Sequence, residues 1–146
     1  MFARRIFAAF ILCSLAGPAF SQPSPVIGPG GRQKATEITA VTPTPDDRAR
    51  QWLVLVDDKN YTQSWGEAAK SFQAKLKADA WAKSGGALRE PMGAVASRGL
   101  KSIDLSRNNI AVIKYDTVFA HKAAAVETVT LGFENGSWAV SDYSVN

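Results

Sequence analysis

Hydrophobic residues recur every three or four positions in the middle of the chain and every second position in its last third. The first helical stripe begins near Asp46 and predicts a helix that Asp46 or Asp47 caps. In the second stripe, Ser64 and Glu67 have the spacing of a capping box, and Gly85-Gly86 is expected to end helical structure. This pattern predicts two to three helices. Their apolar faces consist of Ala49, Trp52, Leu53 and Val56, then Tyr61, Trp65, Ala68, Ala69, Phe72 and Leu76.

After Pro91 the period changes to two, which is typical of β-strands. Asn135-Gly136 is a strong hairpin signal, and Asn108-Asn109 and His121-Lys122 are weaker turn signals. Helices followed by such strands predict an α+β domain, in which the helices pack on one face of a four-stranded antiparallel meander sheet. The predicted strands are Val95 to Arg107, Ile110 to Ala120, Lys122 to Phe133 and Trp138 to Val145.

If each turn contains two residues, the side chains of the sheet divide into two faces. One face is larger and more aliphatic, so we expect the helices to pack on it. The other face contains Tyr115, Phe119 and Tyr143 and is expected to be open. The aliphatic face consists of Ile103, Leu105, Ile110, Val112, Val118, Val129, Leu131, Phe133, Trp138 and Val140.

The first 21 residues have the three parts of a Sec-type cleavable signal peptide. We expect cleavage near Ser21 and a periplasmic or secreted protein. Residues 22–45 are rich in Pro, Gly, Ser and Thr, which predicts a disordered tether, and residues 46–146 are the predicted globular domain. The three parts of the signal peptide are the basic pair Arg4-Arg5, the apolar run from Ile6 to Ala16, and Ala19-Phe20-Ser21.

Charge and cysteine content exclude several classes. The formal net charge is +4, but two of these charges belong to Arg4 and Arg5, so neither nucleic acid nor membrane insertion after cleavage is expected. Cys13 is the only cysteine, which leaves the mature protein without a disulfide. A twin-arginine signal and a lipoprotein are weaker alternatives. No cofactor-binding motif follows Arg4-Arg5, and Leu12 stands before Cys13 where a small residue is required.

Several short segments, spread from Trp52 to Tyr143, resemble the sequence motifs of a known protein family. They are Trp52-Leu53-Val54-Leu55-Val56-Asp57, Tyr61 with Ser64-Trp65 and Ala68-Ala69, Arg89-Glu90-Pro91-Met92-Gly93 with Ser97-Arg98, Tyr115 with Phe119-Ala120 and Lys122, and Val126-Glu127-Thr128. Together they resemble the family called domain of unknown function 4019, whose members are small exported bacterial proteins. The resemblance implies export and a helix-plus-sheet domain, and it implies no activity. A cystatin-like or NTF2-like shape is compatible with this order of elements.

Few residues indicate catalysis. His121 is the only histidine and lies in a predicted turn, and no phosphate, dinucleotide or calcium motif is present, so no cofactor or metal is expected. The predicted register places Lys101, Asp116 and Glu127 in a row on the helix-facing side. The two carboxylates could share a proton in a pocket, or Lys101 and Lys114 could neutralise them as ion pairs.

Two functional hypotheses follow. The favoured one is a non-enzymatic binding module of the cell envelope, which contacts a protein partner or a second copy through Tyr115, Phe119 and Tyr143. The alternative is a small-ligand or acid–base pocket between helix and curved sheet, formed by Arg98, Asp116 and Glu127.

Arg89 and Arg98 flank a turn and could hold an anion or tie the turn to a helix end. Of the four tryptophans, Trp81 is expected to be the most exposed and the others to lie in the core.

Overall fold

The computed structural model describes residues 41–146. The predicted signal peptide and residues 22–40 of the predicted tether lie outside the described residues. In the described part, the helices come first: α1 (Pro45–Asp57), α2 (Tyr61–Glu67), α3 (Lys70–Lys75), α4 (Ala78–Arg89) and a short 3-10 turn (Glu90–Met92). They are followed by β1 (Val95–Arg107), β2 (Ile110–Phe119), β3 (Lys122–Glu134) and β4 (Ser137–Val145). The strands form one antiparallel sheet in sequence order, which confirms the predicted α+β fold and meander.

Helix α1 begins where the sequence predicts, but the residue that caps it is Thr44. The Thr44 hydroxyl accepts a hydrogen bond from the Asp47 amide at 3.2 Å, and the Asp47 carboxylate accepts one from the Thr44 amide at 3.0 Å. These two hydrogen bonds form a capping box at Thr44, two residues before the earlier of the two expected caps, Asp46. The helix buries its predicted stripe against the sheet: Ala49, Trp52, Leu53 and Val56.

The second predicted helix is interrupted. Ser64 does not cap it but lies inside α2, where its hydroxyl donates to the Tyr61 carbonyl at 2.9 Å. The chain then leaves the helical conformation at Ala68, and the Ala69 amide donates instead to the Val140 carbonyl of β4 at 2.8 Å. This tertiary hydrogen bond attaches the break to the sheet, so the second predicted stripe forms two shorter helices, α2 and α3.

The prediction that Gly85 and Gly86 end a helix is wrong, because both lie within α4. A Cβ atom on Gly85 would stand 3.1 Å from the ring of Tyr61. The lack of a side chain therefore lets α4 approach α2 closely, and this packing outweighs the low helix propensity of glycine.

The register of the sheet differs from the prediction at the β2–β3 turn. The turn is formed by Ala120 and His121, one residue earlier than expected, and a bulge follows as Phe119 pairs with Lys122 and Thr117 with Ala125. Because side chains alternate with a period of two, this shift moves β2 to the opposite face. The other turns are confirmed: Glu134 pairs with Ser137 and Arg107 with Ile110 across the predicted two-residue loops.

The predicted open aromatic face is therefore wrong. Tyr115 is 0% exposed and Phe119 is 2% exposed, because both lie beneath the helices. In β4 a bulge between the Thr130–Asp142 and Leu131–Val140 pairs places Tyr143 on the same side as Val140, and Tyr143 packs against the core. The concave face of the sheet thus carries aromatic rather than purely aliphatic residues.

Aromatic rings fill the space between the helices and the sheet. The ring centroids of Trp52 and Trp81 are 5.7 Å apart, and Tyr143 lies 5.4 Å from Trp52. Trp81 is 5% exposed, so the expectation that it faces solvent is wrong, and its indole donates to the buried Ser64 hydroxyl at 2.9 Å. These rings occupy the region where a curved sheet could otherwise enclose a central cavity.

Candidate functional site

Beside this aromatic core lies a cluster of two arginines and two carboxylates, contributed by four different elements. Arg89 ends α4, Arg98 lies on β1, Asp57 ends α1 and Glu127 lies on β3. Arg89 contacts Glu127 Oε1 at 2.6 Å and also pairs with Asp57. Arg98 donates to Glu127 Oε2 at 2.6 Å and to Asp57 Oδ2 at 2.8 Å. The formal charges cancel, and each guanidinium bridges both carboxylates.

Glu127 is fully buried and is satisfied by neutral donors as well. The Thr117 hydroxyl donates to Oε2 and the Tyr143 hydroxyl to Oε1, each at 2.6 Å. Burial by itself would raise the pKa of Glu127, but hydrogen bonds from Arg98, Thr117 and Tyr143 outweigh it and hold the pKa below its ordinary value. Glu127 is therefore an ionised structural carboxylate and a weak base.

The two arginines, Arg89 and Arg98, are also fixed by specific contacts. The guanidinium of Arg89 lies 4.6 Å from the centroid of the Phe119 ring, where the π-face favours a cation. Burial would lower the pKa of Arg98, but hydrogen bonds to Asp57 and Glu127 raise it above its ordinary value. The cluster therefore fixes the end of α4 against β1 and β3.

A smaller polar contact lies further along α1. The Tyr115 hydroxyl donates to Asp46 at 2.5 Å, and the guanidinium of Arg50 lies 5.1 Å from the Tyr115 ring centroid. Burial raises the pKa of the Tyr115 hydroxyl, and the contact with Asp46 raises it further. The phenol is therefore a neutral donor that attaches the start of α1 to β2.

A pocket opens on the outer side of the buried cluster. Its volume is about 280 Å³, and it lies between the end of α1, the start of α2, the end of α4 and the residues that lead into β1. We call it the Tyr61 pocket; it is lined by Val56, Asp57, Lys59, Tyr61, Arg89, Glu90 and residues 93–95. Tyr61 is 8% exposed, and its hydroxyl is the buried side-chain polar atom that lacks a hydrogen-bond partner within residues 41–146.

The structure brings together only some of the predicted site residues. Arg98 and Glu127 are in direct contact, at 2.6 Å. Asp116 is not with them: it lies on the other face of the sheet, where it pairs with Lys101 at 2.7 Å. The predicted row of Lys101, Asp116 and Glu127 is therefore wrong, because the register shift separates neighbours in β2 and β3. The ion pair between Lys101 and Asp116 was the alternative expectation.

Three participants in the cluster were not predicted to lie with Arg98 and Glu127. Asp57 was assigned to a turn, Thr117 to the open face, and Tyr143 to a partner surface. A usable signal was the presence of a charged residue, Glu127, at an inward position of a strand, since such a residue requires opposite charges nearby. His121 lies exposed at the β2–β3 turn, where its backbone amide donates to the Met92 carbonyl at 2.9 Å.

Two structural findings bear on cofactors and membranes. Among residues 41–146, no group of three or more His, Cys, Asp and Glu side chains has a geometry suited to a metal ion. In the same part of the chain, no helix combines the length and the apolar character that spanning a membrane requires.

The comparison with family models decides the family. The model described as "Protein of unknown function (DUF4019)" matches residues 48–143, which is most of the chain. The chain belongs to the DUF4019 family. This confirms the resemblance drawn from the sequence segments. A search of curated proteins found no match.

Among solved structures, the chain is similar to a Campylobacter jejuni protein described provisionally as an NTF2-like transpeptidase. The match has 18% sequence identity and a TM-score of 0.48, and it covers 67% of this chain and 97% of that one. Similarity at this level carries no argument about activity.

Proposed function

We propose that this domain is a non-enzymatic binding module of the cell envelope and that it binds a small molecule in the Tyr61 pocket. The observation that carries the proposal is the buried Tyr61 hydroxyl, which has no hydrogen-bond partner and belongs to a residue that lines a cavity of about 280 Å³. An unpaired buried hydroxyl costs about 1–3 kcal/mol, and native proteins keep few of them. A ligand with an acceptor oxygen would offset that cost and gain affinity from it.

The charged cluster supports binding rather than catalysis. Glu127 accepts hydrogen bonds from Arg89, Arg98, Thr117 and Tyr143, so its oxygens have no place for a substrate proton. Its lowered pKa also makes it a poor general base at neutral pH. What the cluster supplies is a rigid wall, because Asp57 and Arg89 reach the pocket while being held on their other side.

The competing surfaces lack such an observation. The aromatic face, which the favoured sequence hypothesis used for a partner, is buried under the helices. A groove of about 850 Å³ near Val118 and Val126 is larger, but it is shallow, and no buried polar atom without a partner lines it within the described residues. The Tyr61 pocket is therefore the stronger candidate.

We also propose that the protein is exported and that cleavage follows Ser21. The support is the sequence of residues 1–21, with its basic, apolar and small-residue parts. The test is the intact mass of the protein isolated from the periplasm or the medium. A mature chain that begins at Gln22 is the expected result, whereas an uncut chain in the cytoplasm would refute export.

The binding site is tested by a fragment screen that uses backbone amide NMR signals of residues 22–146, the predicted mature form. We expect hits that shift the signals of Lys59, Ala94 and Val95, which line the pocket. Substitution Ala94→Trp should fill the pocket and abolish these shifts. Substitution of the exposed Ala80, also to Trp, is the matched control and should leave them intact. A library without any pocket hit would refute the proposed function.

The role of the hydroxyl is tested by Tyr61→Phe. Because the hydroxyl has no partner in the ligand-free domain, its removal should leave the free energy of unfolding unchanged or higher. Ligand binding should weaken by about fivefold to tenfold, as for loss of one hydrogen bond. A variant that loses more than about 1 kcal/mol of stability without ligand would show that the hydroxyl is already paired.

A further inference from the structure

The charges around the Tyr61 pocket are of two kinds. Asp57 and Arg89 belong to the buried cluster, where each is neutralised. Lys59 and Glu90 also line the pocket, but no ion pair among residues 41–146 involves either of them. Two opposite charges at the mouth of the pocket are therefore available to a ligand.

The backbone of both charged residues, Lys59 and Glu90, is held by hydrogen bonds. Lys59 has a positive φ of 62° in the turn after α1, and its amide donates to the Val56 carbonyl at 3.1 Å. Glu90 opens the 3-10 turn after α4, and its carbonyl accepts from the Gly93 amide at 3.3 Å. Lys59 and Glu90 thus lie on different segments of the chain, and the apolar residues Val56 and Val95 line the same pocket.

From this arrangement we propose that the pocket takes a zwitterionic small molecule of the α-amino acid class; this rests on the proposed function. The ligand carboxylate pairs with Lys59, the ammonium group pairs with Glu90, and an apolar side chain contacts Val56 and Val95. The volume of about 280 Å³ lies just below the usual range for sites of drug-sized ligands, which fits a ligand as small as an amino acid.

A matched series of probes tests the charge requirement. L-leucine carries both charges, N-acetyl-leucine only the negative one, leucinamide only the positive one, and N-acetyl-leucinamide neither. Their dissociation constants are measured by NMR titration of residues 22–146. Each charge pair at an exposed rim is worth at most about fivefold in affinity, so leucine should bind about threefold to fivefold more tightly than either singly charged probe.

Two substitutions separate the contributions. Lys59→Gln should remove the advantage of leucine over leucinamide and keep its advantage over N-acetyl-leucine. Glu90→Gln should do the reverse. Lys83→Gln changes an exposed lysine elsewhere on α4 and is the matched control, which should alter neither ratio.

The outcomes distinguish the two proposals. Equal affinity across the four probes, or tightest binding by a singly charged probe, refutes the zwitterion class while pocket binding stands. If none of the four probes binds although the fragment screen has hits in the pocket, the zwitterion class is likewise refuted and pocket binding stands. Failure of the probes and of the screen refutes both proposals.

Discussion

At the scale of single residues, Glu127 is the most constrained side chain of the domain. Its carboxylate has no exposed surface and accepts hydrogen bonds from two guanidinium groups and two hydroxyls. A buried charge is tolerated only when it is paired in this way, since desolvation by itself would cost several kcal/mol. Asp116 on the neighbouring strand is the opposite case, with a side chain that is 62% exposed.

This contrast predicts unequal costs for the same chemical change. Glu127→Gln should lower the free energy of unfolding by about 3 kcal/mol or more, because it leaves two buried guanidinium groups without half of their negative charge. Asp116→Asn should cost under about 1 kcal/mol, as is usual for an exposed ion pair. Urea unfolding of both variants measures the two costs. Equal values would show that the cluster does not hold the fold.

Glu127 also predicts a pH dependence. Its pKa in the folded protein is lowered from 4.5, so its stabilising contribution is complete above pH 4.5 and is lost as the pH falls through the folded-state pKa. The difference in unfolding free energy between the wild type and Glu127→Gln should therefore be constant from about pH 6 to 8 and shrink toward pH 3. A difference that grows in acid would contradict the assigned direction.

At the scale of elements, turns and breaks are decided by single backbone positions. Asn135 and Gly136 both have positive φ, 52° and 79°, which defines the type I′ turn that joins β3 and β4. Nothing lies within 4 Å of a Cβ built on Gly136, so space does not restrict this position. Its requirement for glycine comes from the backbone conformation.

Two glycine-to-alanine substitutions should therefore have opposite effects. Gly136→Ala should destabilise the domain by about 1–2 kcal/mol, because alanine is strained at positive φ. Gly66→Ala, in α2 and also without close neighbours, should stabilise it by about 0.5–1 kcal/mol through helix propensity. Thermal unfolding of the two variants gives the signs. The same sign for both would mean that the turn or the helix is wrongly assigned.

At the scale of the whole molecule, the core of the described residues is continuous. It extends from Ala49 on α1 to Val140 on β4, and every helix and every strand except β1 contributes a buried residue to it. Strand β1 is held by its pairing with β2, and Arg98 also ties it to the charged cluster. The elements of residues 41–146 are thus joined by one apolar core, by the hydrogen bonds of the sheet and by polar contacts, of which the charged cluster joins four elements.

We therefore predict that residues 41–146 fold without the segment before them. A chain that begins at residue 41 should unfold within about 2 °C of one that begins at Gln22, which corresponds to under about half a kcal/mol. Differential scanning calorimetry of the two chains measures this. A much lower Tm for the shorter chain would show that residues 22–40 contribute to the stability of the domain.

Much of the architecture was determined by the sequence alone. Strand β1 lies at its predicted bounds, and the other three strands differ from theirs by one residue at an end. The start of α1 and the Asn135-Gly136 turn were also predicted. Each of these depends on local signals, namely a periodic pattern, a capping residue or a turn dipeptide, which act over a few neighbouring positions.

Only the tertiary structure decided which face of β2 is buried, how β4 is kinked and therefore where the site lies. A one-residue change at Ala120-His121, together with the bulges, reversed β2 and separated Asp116 from Glu127. The bulge in β4 brought Tyr143 inward, and Val140 broke the second helix by accepting from Ala69. The register of a strand is set by the free energy of burying one of its faces rather than the other. That free energy depends on all the elements packed against the strand, so local sequence signals do not determine it.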